Sequence, residues 1–232
     1  RIALNTGRHN VRVGVNIVDF PGTRGIGLPR EEVTLAELMS KAGYHTAMFG
    51  KWHVGFGDKY APTEHGFDEA QWSGGNPAVW VYGAKGDDNA GHVNYRALIW
   101  GPKEPAEYYD EGGVMRAKKG EKPEIVYPFS LENYHNYDTD TADLAIDYIK
   151  RHADSEKPFF LYVGGKGNHF FGAHPDFRDT PAQTNTASQM VEHDYNVGRI
   201  IKTVKDLGIG ENTLIVWTSD NGPMYGFHPH GG

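Results

Sequence analysis

The chain contains no cysteine, which excludes disulfides and thiolate-ligated zinc sites. No run of about 18 apolar residues is present, so no membrane-spanning helix is expected. Basic residues are the minority, 23 against 30 acidic, giving a formal charge of −7. Nucleic-acid surfaces carry a basic patch, so that class of partner is set aside. The same balance leaves room for a small anionic substrate, because two or three local cations outweigh the mean field at short range. Internal repeats and low-complexity segments are also missing. The sequence opens on Arg1 with no signal-peptide pattern and closes on Gly231-Gly232 with no terminal element. Both ends read as cut, and a segment of a longer protein is expected.

Glycine, by contrast, is plentiful. Its 30 residues among 232 are nearly twice the usual share of about 7%. Glycines at loop positions suit chemistry carried on loops that pass close to backbone. The length allows one sizeable core, and the chain reads as one domain over 1–232.

Three apolar runs each stop at a polar cluster. His45–Phe49 runs into Gly50-Lys51-Trp52-His53, Phe159–Val163 into Gly164–His169, and Thr213–Thr218 into Ser219-Asp220-Asn221-Gly222. Short apolar runs without alternation are the mark of strands buried on both faces, as in parallel α/β sheets. Ligands of such sheets sit beyond the carboxyl ends of the strands, so the polar clusters are expected to share one edge. Between the runs, Val33–Gly43 predicts a short helix with Val33, Leu35, Leu38 and Met39 as its apolar positions. Asp138–His152 predicts a second helix, capped by Asp138 or Thr139, and Ala187–Leu207 a third and longest. From about Trp72 to Tyr137 the pattern is irregular and rich in aromatics, too long for a simple connection. It reads as a surface insertion, with one or two rings reserved for a pocket wall.

The polar clusters point to specific chemistry. Asp220 and Asn221 offer hard oxygen ligands suited to Ca²⁺ or Mg²⁺, but supply only part of a shell of about 6–8 oxygens. A hairpin turn at Asn221-Gly222 is the competing reading, disfavoured because Pro223 follows and no returning strand is evident. Lys51 and His53, at i and i+2 of an extended segment, are expected to face one ligand. The lysine would bind an oxyanion as a point charge, and the histidine would exchange a proton near neutral pH. His169, in the glycine-rich loop 164–174 with Lys166 and His174, is the candidate for protonating a leaving group. His228 and His230 flank Pro229 and make a weak case for zinc.

These motifs resemble those of the type I, formylglycine-dependent sulfatases, arylsulfatase-like members of the alkaline-phosphatase-like superfamily. Arg1–Arg8 resembles the second half of that family's first signature, and Gly43–Gly55 its second. Pro158–His169 resembles the strand leading to the catalytic histidine, and Asn212–Gly222 the metal-binding strand. The resemblance implies an α/β domain, a mostly parallel sheet flanked by helices, that hydrolyses sulfate esters with calcium and a formylglycine nucleophile. Carried over by motif, Asp220 and Asn221 would ligate the metal and Lys51 would hold the sulfate. His53 would hydrogen-bond the nucleophile, His169 would assist the leaving oxygen, and Arg1 would steady the nucleophile. The modified Cys or Ser would lie just upstream of Arg1 and a second sulfate-binding lysine beyond Gly232. Asn168 stands where the family usually has proline. On this reading the 232 residues alone are inactive. The family's partners would be sulfated small molecules or glycans, and such enzymes are commonly periplasmic or secreted. Two rivals stand beside it: a phosphate or phosphonate ester hydrolase of the same superfamily, and a non-catalytic binder of sulfated glycans.

Overall fold

A computed structural model describes residues 1–15, 26–75, 113–167, 172–178 and 185–222. Two short helical turns open it, helix α1 (Ile2–Thr6) and a 3₁₀ turn at Asn10–Val13. Helix α2 (Leu35–Lys41) then feeds strand β1 (His45–Lys51). The start of α2 is set by a reciprocal cap: Thr34 Oγ1 accepts the Glu37 N–H at 3.1 Å, and the Glu37 carboxylate accepts the Thr34 N–H at 3.0 Å. Its inward residue is Ala36, while Val33 and Leu38 stand exposed, so the expected apolar stripe is rotated.

Strands β2 (Glu69–Ser73), β3 (Gly113–Lys118) and β4 (Glu124–Pro128) follow, then helix α3 (Leu131–His152), strand β5 (Phe159–Gly164) and helix α4 (Asn185–Asp206). The sheet order is β4-β3-β2-β1-β5. β1 lies parallel to both β2 and β5, while β3 runs antiparallel to β2 and to β4. The α/β architecture is therefore as expected, with a parallel centre and an antiparallel flange in one mixed sheet. The end of the stretch read as irregular holds β3, β4 and the first turns of α3; residues 76–112 lie outside the described residues.

β1 is buried on both faces, as its unbroken apolar run requires. Met48 faces a core with Leu28, Trp52, Phe67 and Trp72, against which Phe160 and Tyr162 of β5 pack. Ala47 and Phe49 face Ala145 and Tyr148 of α3, with Ile200 of α4 against them. α3 begins seven residues before the expected Asp138, because Ser130 Oγ accepts the Asn133 N–H at 3.1 Å and caps it there. Asp138 instead points inward and accepts the Lys166 N–H at 2.7 Å. α4 matches its expected span and buries Glu192, whose carboxylate accepts the His174 N–H at 2.9 Å. Burial pushes Glu192 up to about 7, against the opposing charge of Lys166.

The third expected strand does not form. Residues 213–219 pair with no strand among the described residues, and Leu214, Val216 and Trp217 are 89%, 72% and 67% exposed. An apolar run becomes a strand only when a neighbour supplies its hydrogen bonds, and none of the described strands adjoins this one.

Candidate active site

The carboxyl ends of β1 and β5 meet at a pair of glycines. Gly50, at φ 100°, lies in register with Gly164. A Cβ on Gly50 would sit 2.2 Å from the Gly164 carbonyl oxygen, and one on Gly164 would sit 2.4 Å from the Lys51 carbonyl oxygen. Bare backbone is thus required where the two strands deliver their terminal residues.

Three charged side chains converge there. Arg1 Nη1 donates to the Lys51 carbonyl at 2.7 Å, and Tyr162 Oη of β5 lies 3.4 Å from the same nitrogen. Arg1 Nε pairs with Asp220 Oδ2 at 2.8 Å. Lys51 is 5% exposed. Burial, and then the Arg1 charge, lower its ammonium to about 8, with Asp220 pulling the other way. Burial raises the Asp220 carboxyl, but the Arg1 and Lys51 charges outweigh it and hold the group below its ordinary value. The result is an ionised carboxylate between two cations at the edge of the sheet. Two positive charges held in partial burial attract an oxyanion more strongly than they would in water.

His53 is reached differently from the expectation. The extended geometry ends at Lys51, and His53 adopts φ 57°, so the i, i+2 argument for a shared face does not apply. What fixes His53 instead is continued pairing past the strand ends, with its N–H donating to the Gly74 carbonyl at 3.0 Å. Asn221 is exposed and adjoins Asp220; its Nδ2 donates to the Gly222 carbonyl at 2.7 Å, which leaves Oδ1 for a ligand. His169, Asn168, His228 and His230 lie outside the described residues. Lys166, by contrast, is turned into the α3 side, with Nζ donating to the Tyr134 carbonyl at 3.2 Å. The structure therefore brings Arg1, Lys51 and Asp220 together and places His53 two residues beyond Lys51.

No group of three or more acidic or histidine side chains able to hold a metal occurs among the described residues. Asp220 and Asn221 fit a hard cation in donor type, being an ionised carboxylate beside a carboxamide oxygen, and supply two of the oxygens it needs. Tyr162, and Ser73 with Tyr137, whose hydroxyl oxygens lie 2.8 Å apart beneath this edge, were not singled out from sequence. Their only signal was hydroxyl groups in otherwise apolar or helical segments.

Comparison with known proteins identifies the family to which the chain belongs. A family model described as Sulfatase matches residues 1–232. The N-acetylgalactosamine-6-sulfatase of Canis lupus familiaris is 31% identical over 232 residues, covering 96% of this chain and 40% of the relative. Arylsulfatase G of Rattus norvegicus is 33% identical over 233 residues, covering 96% and 41%. Among solved structures, the PsFucS1 sulfatase from Pseudoalteromonas sp. superposes with a TM-score of 0.79 at 30% identity, over 95% of this chain and 44% of that one. The chain spans about 40% of the length of the curated relatives it matches.

Proposed function

The chain belongs to the sulfatase family, and on that premise we propose that it carries part of the catalytic site of a sulfuric ester hydrolase, within one partial catalytic domain over residues 1–232. The observation that carries this reading is the meeting of Arg1, Lys51 and Asp220 at the carboxyl ends of β1 and β5.

In this reading Lys51 takes one sulfate oxygen. Its ammonium is lowered to about 8 by burial, and an anion beside it restores the charged form. Arg1 fixes the Lys51 carbonyl with one nitrogen and Asp220 with another, so it holds the strand end and the carboxylate in one frame. His53 serves the nucleophile by hydrogen bonding, and His169 gives a proton to the departing alcohol oxygen. Asp220 and Asn221 would hold a calcium ion, which when bound supplies positive charge for the sulfate oxygens. The nucleophile, a formylglycine in this reading, is provided outside these residues.

The substrate class is a sulfated small molecule or a sulfated glycan, and an exported location fits the family. No helix among the described residues is long and apolar enough to cross a membrane. The test compares initial rates of the full-length protein on an aryl sulfate and on the matching aryl phosphate, with Ca²⁺ present. Faster turnover of the sulfate is expected. Preference for the phosphate would move the assignment to a phosphate ester hydrolase. Binding of a sulfated glycan without turnover of either ester would make the protein a binder. The 232-residue chain alone is expected to turn over neither.

A further inference from the structure

His53 is the one non-glycine residue with positive φ among the described residues. A side chain held in the left-handed region persists only where its surroundings over-determine it. The surroundings are a short relay beneath the site. Past the end of β1 the backbone stays paired with β2 and the residue after it, the Trp52 N–H donating to the Ser73 carbonyl and the His53 N–H to the Gly74 carbonyl, each at 3.0 Å. Ser73 Oγ donates to the Gly75 carbonyl at 2.9 Å, and Tyr137 Oη of α3 lies 2.8 Å from the same Oγ.

A serine hydroxyl has one proton. Given to Gly75, it leaves Ser73 Oγ only as an acceptor toward Tyr137, so the phenol must be the donor. Both groups are shut away from water, Ser73 at 0% and Tyr137 at 2% exposure. The direction of the relay is therefore fixed: Tyr137 Oη–H to Ser73 Oγ–H to the Gly75 carbonyl. Burial raises the phenol well above its ordinary range, so the proton stays in place at working pH. Gly75 lies close under the imidazole, where an added Cβ would come 3.9 Å from His53 Cδ2.

We propose that Tyr137 and Ser73 are positioning residues for His53: their relay fixes the 73–75 turn, and the Gly74 carbonyl within that turn holds the left-handed backbone that aims the imidazole. Neither residue touches the reacting atoms. The inference rests on the role given above to His53, and its test keeps the two apart.

The test is a double-mutant cycle on the full-length protein, followed by steady-state hydrolysis of an aryl sulfate. Tyr137→Phe is expected to lower kcat about tenfold, with KM within about twofold, as befits the loss of one buried relay hydrogen bond felt in the transition state. In a His53→Ala background the same Tyr137→Phe change should cost less than about twofold, because nothing remains to be aimed. Losses that multiply in the double variant would overturn the inference, as would wild-type kcat in Tyr137→Phe. Wild-type kcat in His53→Ala would remove the role of His53 itself and this inference with it. Should Tyr137→Phe fail to fold, Ser73→Ala carries the same cycle. Ser73→Thr, which keeps the hydroxyl, should then restore most of the rate, and failure to do so with the fold intact would also count against the relay.

Discussion

Two runs of this chain share an apolar character and meet opposite fates. His45–Lys51 sits between two parallel neighbours with six of its seven residues buried. Thr213–Thr218 is just as apolar, yet it pairs with no strand among the described residues and leaves Leu214 and Trp217 in solvent. The first ends in a glycine jammed against backbone and a lysine that burial has made less basic. The second ends in Asp220, tethered to the sheet edge by one guanidinium. Apolar composition made both eligible to be strands, but only a neighbour on each side made one of them a strand.

That contrast is open to direct attack, beginning where the packing is tightest. Gly50→Ala combines a positive φ with a methyl driven to 2.2 Å from a carbonyl oxygen, and is expected to destabilise the fold by on the order of 4 kcal/mol or to abolish it. Urea unfolding of the variant checks this, and a loss under about 1 kcal/mol would show the β1–β5 contact to be loose. Lys51→Ala comes next. Removing a preorganised cation from a partly dry site should lower kcat/KM of the full-length protein about 10²–10³-fold. In the wild-type full-length protein kcat/KM should fall as pH rises through about 8, where the free ammonium loses its proton, and Lys51→Arg should carry that limb upward out of range.

Away from the sheet edge the expected effects shrink. Glu192 is raised by burial to about 7, so the folded chain favours its neutral form. That contribution to stability is complete below the ordinary carboxyl range and is lost as pH rises through about 7. Glu192→Gln should flatten this slope, whose full height is about 3 kcal/mol by linkage, as measured by denaturation midpoints from pH 4 to 8. Smallest of all, Leu214→Ala should change the stability of the 232-residue chain by less than about 0.5 kcal/mol, as for any exposed side chain. A loss of several kcal/mol in the full-length protein would show that the run acquires a neighbour there.

The parts of this molecule that could be read from sequence are those where one local signal suffices. β1, β5 and α4 were legible from uninterrupted apolar runs or helical spacing. Lys51 was legible as the polar end of a strand, Asp220 as the polar stop of an apolar run, and Arg1 only through the motif it stands in. β2 and β3 were not, since Glu69, Gln71 and Arg116 interrupt their apolar content and their places are set by pairing with β1 and with each other. The start of α3 hides in Leu131–Tyr137, where a serine cap matters more than the aromatic-rich composition. The turn at His53 escaped because it depends on carbonyls of residues 73–75 and on a phenol from α3, contacts remote in sequence. Thr213–Thr218 misled for the converse reason, its local signal being complete and its partner absent from the described residues.

The facing glycines at positions 50 and 164 constrain how this family member is able to diverge. A clash between two side chains is relieved by shrinking the partner, so such pairs drift together over time. Here each obstacle is main chain, a carbonyl that every amino acid carries. No second side-chain substitution relieves the first, so each position is expected to stay glycine on its own account, without covariation between the two.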